Sequence, residues 1–202
     1  TGFTPFPGAP VNPTEHLIRH FEAEPPLAGE DVAFRFAVLP VDYGRTIPAL
    51  DDVSAEFQPH VAVHFGLARE ARGFRLETLA RNEIAAAGPD NAGYRPEPSP
   101  IRHGADHAPS GLPLSRIAEA LESGGHAVEW SDDAGGYLCN YVFFHSAAGL
   151  CRGLAAAISG FVHVGPVELS GGALPEAAPD FRKFAQGAET ILRICVSQAR
   201  GK

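Results

Sequence analysis

HAVEWSDDAGGYLCNYVFFHSAAGLCRGLAAAISGFVHV, residues 126–164, runs from an apolar strand through a turn into a long helix and then into a second strand. The strands are predicted over residues 126–130 and 160–164, and the helix over residues 137–157 with a break near Gly149. A helix that joins two strands in this order is the unit from which parallel sheets are built. The stretch therefore predicts an α/β fold with a largely parallel sheet.

The rest of the chain repeats this alternation on the amino-terminal side and ends in one more helix. Asn12 followed by Pro13 is a typical helix start, because Asn accepts hydrogen bonds from the first backbone N–H groups and proline fits the first helical position. No internal repeat or low-complexity tract occurs, and we expect one domain over residues 1–202. Further strands are predicted over 32–39, 61–65 and 73–79, and further helices over 12–23, 43–57, 114–123 and 178–199.

Two parts of the chain fall outside this alternation. Residues 88–113 hold many of the Pro, Gly, Asp and Asn residues, which predicts a long surface loop. The chain opens at Thr1 in a loop-like sequence with no strand before it and contains no methionine, and we expect a short segment ahead of Thr1. No basic leader followed by an apolar stretch is visible, so the sequence predicts no export signal.

The composition argues against several classes of partner. Asp and Glu (24) outnumber Lys and Arg (16), and a formal net charge of −8 argues against nucleic acid. The longest apolar region, residues 137–164, is interrupted by Asn140, His145 and Arg152, so we expect no membrane span. The three cysteines form no Cys-x-x-Cys pair, and an odd number of them favours a reducing, cytoplasmic location over a disulfide framework.

Cys139 lies where a glycine-containing turn gives way to the helix at 137–157. A thiol in the first helical turn faces backbone N–H groups without partners and the positive end of the helix dipole, which favour the reactive thiolate. The alternative is a small buried side chain, the commonest role of a free cysteine. Cys151 and Cys195 lie inside apolar helical stretches and are predicted to be core residues.

His163 and Glu77 are candidates for the other groups of a thiol-based site. His163 lies near the end of the strand at 160–164, and the carboxyl ends of strands in open α/β sheets are where sites assemble. An imidazole there could deprotonate a thiol and later protonate a leaving amine, although a hydrogen-bonded core histidine is the alternative. Glu77 is a lone acid in an apolar stretch, where it could orient the histidine or face solvent.

Two histidine pairs, His60/His64 and His103/His107, have the spacing of metal ligands on one face of a helix. The first pair falls across a predicted strand and the second in a loop that contains Gly104, so this spacing does not place the rings together. The chain also has no glycine-rich phosphate-binding motif. We therefore expect neither a metal nor a cofactor.

Four blocks of the chain together match one known family. TGFTPFPG at residues 1–8 is similar to that family's Thr-Gly-Phe-x-Pro-Phe-Gly-Gly, and ETLARN at 77–82 with PDNAG at 89–93 is similar to its glutamate block. AGGYLCNY at 134–141 is similar to its nucleophile block, and SGFVHV at 159–164 to its histidine block. The chain thereby resembles the pyroglutamyl-peptidase I family of cysteine peptidases over residues 1–164.

The resemblance implies a three-layer α/β/α sandwich around a twisted, mixed and mostly parallel sheet. It implies that the protein removes an N-terminal pyroglutamyl residue from peptides. Cys139 would be the nucleophile, His163 the base and then the acid, and Glu77 the group that holds the imidazole. The backbone N–H of Cys139 would be one donor to the oxyanion. The family also implies a homo-oligomer, either a dimer or a tetramer.

The resemblance further identifies a binding pocket for the substrate. Phe3 and Phe6 match the aromatic pair that encloses the flat pyrrolidone ring, and Asn12 is carried over with them as a substrate-binding residue. An uncharged five-membered lactam needs apolar walls and a few directed hydrogen bonds, which suits this set of side chains.

The chain departs from the family pattern near the predicted site. Ala87 stands where the family has an arginine thought to assist the oxyanion, and Pro7-Gly8 replaces Gly-Gly. Asp132 and Asp133 precede the nucleophile turn, and their charge would oppose thiolate formation if they faced Cys139. Residues 165–169 after the histidine are also rebuilt. These departures leave open a related cysteine amidase or peptidase with a changed acyl preference, and a catalytically silent binding protein on the same fold.

Overall fold

A computed structural model describes residues 1–85, 88–169 and 178–201. Within these residues the chain forms five helices and eight strands. The helices are α1 (Pro13–Ala23), α2 (Thr46–Phe57), α3 (Leu114–Ser123), α4 (Leu138–Ala147) and α5 (Phe181–Arg200). The strands are β1 (Gly2–Phe3), β2 (Val38–Leu39), β3 (Val61–Leu67), β4 (Phe74–Glu77), β5 (Leu79–Ala80), β6 (Ala108–Pro109), β7 (Val128–Ser131) and β8 (Ile158–Val164).

The central sheet has four strands in the order β3-β8-β4-β7. β3 pairs in parallel with β8, and β4 pairs in parallel with β7, whereas β4 and β8 run antiparallel. All seven residues of β8 are buried, as expected for an apolar strand in the middle of a covered sheet. The mixed sheet confirms the predicted α/β fold, although β7 and β8, the two strands of the stretch at 126–164, run antiparallel to each other and are separated by β4.

Helices cover both faces of this sheet. One apolar cluster joins the sheet to α1, α3 and α5 through Leu17, Ile117 and Ile191. A second cluster joins the sheet to α2 and α4 through Leu50, Leu138 and other apolar side chains. The resulting three layers confirm the α/β/α sandwich that the family resemblance implied.

Several predicted elements are shorter in the structure than the sequence pattern suggested. The helix predicted at 137–157 ends at Ala147, and Gly149 lies at a positive φ of 64° in the turn that follows. The helix predicted from residue 43 starts at Thr46, which puts Pro48 in the first turn, where its missing N–H has no intrahelical partner to lose. The strand predicted at 73–79 divides into β4 and β5.

The strand predicted at 32–39 forms a ladder only at its end. β2 pairs with β1 at Gly2↔Val38 and Phe3↔Leu39, the carbonyl of Ala37 also accepts from Gly2, and residues 32–36 pair with no strand among the described residues. On its other side Thr1 donates its amino N–H to the carbonyl of Val63 at 2.8 Å, so β1 lies between β2 and β3. Beyond Thr1 a cavity of about 560 Å³ separates residues 32–36 from β3.

No helix among the described residues is both long enough and apolar enough to cross a membrane.

Candidate active site

His163 and Glu77 meet on one face of the sheet, on two neighbouring strands. His163 lies on β8 and Glu77 is the last residue of β4, and the two strands pair antiparallel. Nδ1 of His163 lies 2.8 Å from Oε1 of Glu77, and both side chains are buried, Glu77 completely. Because a carboxylate only accepts, this contact places the ring proton on Nδ1 and leaves Nε2 as the free base position. The solvent-facing alternative for Glu77 is therefore wrong.

Cys139 is the second residue of α4 and approaches the same imidazole. Its side chain is half-buried and lies close enough to His163 to raise the pKa of the imidazole. Gly66 of β3 is the direct cross-strand partner of His163 and leaves the room for the sulfur. A β carbon on Gly66 would lie only 2.9 Å from Sγ of Cys139 and 2.7 Å from the ring of Phe161. The thiol thus lies beside the histidine and against the backbone of Gly66, which has no side chain.

The surroundings of His163 favour its protonated form. Burial by itself lowers the pKa of His163, but the charge and hydrogen bond of Cys139 and those of Glu77 together outweigh burial and raise the pKa to about 9. An imidazolium between a thiolate and a carboxylate is stabilised from both sides. The arrangement can therefore hold a proton on the ring near neutral pH, next to a sulfur able to act as a nucleophile.

The amino-terminal end of α4 points its backbone N–H groups toward this region. Tyr137 is the N-cap in an extended conformation, and no side chain caps the helix. The first backbone N–H groups of a helix have no intrahelical partners and carry the positive end of its dipole. The N–H groups at the start of α4 are thus available to an anion that forms beside Cys139.

Residues 1–170 match the family model described as pyroglutamyl peptidase. The chain belongs to the pyroglutamyl peptidase family. Members of this family are cysteine peptidases, which agrees with a free thiol held beside a histidine and a carboxylate.

Curated relatives and solved structures agree with the family model. A pyrrolidone-carboxylate peptidase from Pyrococcus furiosus is 36% identical over 165 residues, which cover 81% of this chain and 78% of the relative. One from Klebsiella pneumoniae is 29% identical over 204 residues, covering 98% and 92%. The solved structure of a mutant pyrrolidone carboxyl peptidase from Pyrococcus furiosus has a TM-score of 0.84 at 29% identity, and the match covers 98% of this chain and 97% of that one.

The opening loop of the pyroglutamyl peptidase match lies next to these residues. The buried ring of Phe3 is 6.2 Å from that of Phe161, whose ring is in turn 4.9 Å from His163. Phe6 is half-buried and exchanges two backbone hydrogen bonds with Ala9 across Pro7-Gly8. Gly8 has a φ of 89°, which only glycine adopts readily. Pro7-Gly8 therefore still forms a tight turn, although the family has Gly-Gly at these positions. The roles of Phe3 and Phe6 in binding substrate stay predictions.

Asn12 fastens this loop to α1. Its Oδ1 accepts from the backbone N–H of Thr14 at 3.1 Å, as a helix N-cap does, and its Nδ2 donates to the carbonyl of Thr4 at 3.2 Å. The side chain is buried, with 1% exposure. The structure thus gives Asn12 a place in the loop that carries Phe3 and Phe6, and direct contact with substrate stays a prediction.

Among the departures from the family, the acidic pair has a counterion. The guanidinium of Arg81 pairs with Asp132 at 3.3 Å and with Asp133 at 2.9 Å. Asp133 also accepts from the backbone N–H of Gly135 in the turn before α4. The carboxylates are therefore held by Arg81 and by the turn, which weakens the objection that their charge opposes a thiolate. Ala87 lies outside the described residues.

Two residues that hold the site, Asn140 and Gly66, were given no role by the sequence analysis. Asn140, next to Cys139, is buried and makes three hydrogen bonds to the backbone of Arg81 and Glu83. Asn140 could have been recognised as a polar side chain inside an apolar helix, because such a group needs buried hydrogen-bond partners. Gly66 was missed because the strand was predicted to end at residue 65, whereas Gly66 lies inside β3, where a glycine marks the close approach of another group.

Tyr43 and Asp90 also border the site without having been predicted. Asp90 is buried and accepts the backbone N–H of Tyr43 through Oδ2, and those of Ala92 and Tyr94 through Oδ1. This carboxylate fixes the start of the segment predicted as a long loop. Asn91 adds a hydrogen bond to the carbonyl of Pro5, so the segment is fastened to the opening loop as well.

His64, Cys151 and Cys195 are structural residues. His64 is buried between Thr1 and Ser146, each hydrogen-bonded to one ring nitrogen, and burial followed by the Thr1 ammonium lowers its pKa well below the usual range. With 1% exposure on both His64 and Ser146, this pair is closed to substrate. Cys151 and Cys195 are buried as predicted, and burial raises the pKa of each to about 12.

The described residues contain no group of three or more His, Cys, Asp or Glu side chains arranged to hold a metal ion.

Proposed function

We propose that this protein is a cysteine exopeptidase that removes an N-terminal pyroglutamyl residue from peptides. The observation that carries the proposal is the buried contact of 2.8 Å between Nδ1 of His163 and Oε1 of Glu77, with Cys139 close enough to the same imidazole to raise its pKa. Thiol acyl transfer depends on a nucleophile, a base and an orienting acid that lie next to one another. The names of the relatives support the choice of acyl group.

In the proposed first step the sulfur of Cys139 attacks the acyl carbon of the pyroglutamyl group. The carbonyl oxygen becomes an oxyanion, which the N–H groups at the start of α4 stabilise. The C–N bond then breaks, and the imidazolium of His163 gives its proton to the departing amine. Glu77 keeps the ring in the orientation that both transfers need.

In the second step a water molecule attacks the thioester carbon. The neutral imidazole of His163 takes a proton from this water as it adds, and the C–S bond breaks to release pyroglutamate. The proton on the ring then restores the ion pair with Cys139.

Hydrolysis of a pyroglutamyl anilide tests the proposal. We expect turnover by the wild-type protein and its loss in Cys139→Ala, with Cys151→Ala as the matched control because that thiol is buried among apolar side chains. A folded wild-type protein that does not hydrolyse the anilide, or a Cys139→Ala variant that retains full activity, would contradict it.

A cysteine amidase or peptidase with another acyl preference is the second candidate. The replacement of the family's arginine by Ala87 and the rebuilt residues 165–169 favour it. A panel of N-acyl and N-terminal anilides separates the two candidates, because only the first predicts that the pyroglutamyl compound is the best substrate. The homo-oligomer and the cytoplasmic location stay predictions, measurable by light scattering and by fractionation.

A further inference from the structure

Tyr43 has a buried hydroxyl that makes no hydrogen bond to any described residue. The residue is 8% exposed, and its hydroxyl oxygen has no hydrogen-bond partner among the described residues. An unsatisfied buried hydroxyl destabilises a folded protein, and native proteins rarely keep one without a use. The group is thus a candidate for a partner that arrives with a ligand.

The position of Tyr43 is fixed from two sides. Its backbone N–H donates to the buried carboxylate of Asp90 at 2.9 Å. Its ring makes edge contacts with Tyr137 and Tyr141, at centroid distances of 5.8 and 5.2 Å. A side chain held in this way loses little freedom when it forms one more hydrogen bond.

These contacts place Tyr43 at the start of the helix that carries the nucleophile. Tyr137 is the N-cap of α4, two residues before Cys139, and Tyr141 lies one turn later. Burial, followed by Tyr137, Tyr141, Asp90 and Cys139, raises the pKa of Tyr43. The hydroxyl therefore stays protonated at working pH and remains a neutral donor close to the thiol.

We propose that the Tyr43 hydroxyl recognises the substrate by donating a hydrogen bond to the carbonyl oxygen of the bound pyrrolidone ring. This inference rests on the proposed function, because that function places the pyrrolidone ring beside Cys139. The ring is uncharged, so a neutral donor in an apolar pocket suits it better than a charged one. A site built to bond a carbonyl rejects a ring that lacks it, since the buried donor would then stay unpaired.

Tyr43→Phe tests the proposal by removing one oxygen atom. We expect the affinity for 2-pyrrolidone to fall roughly tenfold, and KM for the pyroglutamyl anilide to rise more than kcat falls. The melting temperature without ligand should stay the same or rise, because the variant loses an unsatisfied group. The stabilisation that 2-pyrrolidone gives in a thermal melt should shrink.

Tyr94→Phe is the matched control. Tyr94 contacts the ring of Tyr43 at 6.1 Å but is 57% exposed, so loss of its hydroxyl should leave KM and 2-pyrrolidone affinity unchanged. Unchanged 2-pyrrolidone affinity in Tyr43→Phe, with or without a lower melting temperature, would overturn the inference, because protein or water would then satisfy the hydroxyl.

The two proposals fail in different ways. If the wild-type protein binds 2-pyrrolidone through Tyr43 but does not hydrolyse the anilide, the peptidase function fails and the recognition site stands. If the anilide is hydrolysed with the same KM in wild type and Tyr43→Phe, the recognition site fails and the function stands. Absence of both hydrolysis and binding in the wild type overturns both.

Discussion

At Gly66 the sheet comes closest to the thiol of Cys139. The missing side chain is what lets the sulfur reach the imidazole of His163, the cross-strand neighbour of Gly66. A methyl group there would meet Sγ at 2.9 Å and the ring of Phe161 at 2.7 Å, both too short for ordinary contact. A glycine, which has no reactive side chain, thus determines whether Cys139 and His163 come close enough to react.

We therefore expect Gly66→Ala to reduce kcat/KM by about 100-fold, because a displacement near 1 Å costs that much in a preorganised site. The free energy of unfolding should fall by about 1–3 kcal/mol from overpacking. Anilide kinetics and urea unfolding measure the two effects.

Gly160→Ala is the matched control for this prediction. A β carbon there would meet Ser110 at 2.4 Å and Leu112 at 2.6 Å, away from the thiol. It should destabilise the protein similarly while leaving the activity of the folded fraction nearly intact. If the activity of Gly66→Ala stayed within threefold of wild type, the prediction would be wrong, because the thiol would then tolerate the added methyl group.

At the scale of single elements, Asn140 ties α4 to the segment after β5. Its Oδ1 accepts from the N–H of Arg81 at 2.9 Å, and its Nδ2 donates to the carbonyls of Arg81 and Glu83 at 2.8 and 2.9 Å. Asn82 makes a similar set of three bonds to the backbone of Arg102 and Ala105, but it is only half-buried and two of the three bonds are exposed. The two asparagines differ chiefly in their access to water.

We expect Asn140→Ala to lower the free energy of unfolding by about 2–4 kcal/mol, because backbone groups stay buried without partners. Asn82→Ala should cost about 1 kcal/mol or less, since water can replace its bonds. Urea midpoints at unchanged m-values measure the difference. Equal losses in the two variants would show that burial of Asn140 does not set the cost.

The sequence predicts an element well when local interactions stabilise it, and less well when contacts between distant segments do. The helix at α1 was predicted within one residue because its signal, Asn12 with Pro13, is local. The helix predicted at 137–157 ran too long, because its apolar residues continue past Ala147 into a turn that packs against α2 instead. Cys139, His163 and Glu77 were singled out by residue type and then by family resemblance, whereas Tyr43 and Asp90 depend on contacts between distant segments.

At the scale of the whole molecule, Thr1 extends the sheet next to β3. Thr1 accepts from the N–H of Phe65 at 2.9 Å and donates to the carbonyl of Val63 at 2.8 Å, the hydrogen bonds of a strand beside β3. Past Thr1 lies the cavity of about 560 Å³, lined by Phe34, Phe36 and Val61 among other apolar side chains. Residues 32–36 line one side of this cavity and form no ladder with a strand among the described residues.

A strand placed ahead of Thr1 should fill this cavity and stabilise the molecule. Five β-branched apolar residues span about 16 Å, enough to pass between residues 32–36 and β3. Burial of their side chains should raise the melting temperature by about 5–10 °C. A Gly-Ser extension of the same length is the matched control, and it should leave the melting temperature nearly unchanged because it fills nothing. Melting curves of the three proteins measure the gain, and equal gains from both extensions would mean that the cavity does not accept a strand.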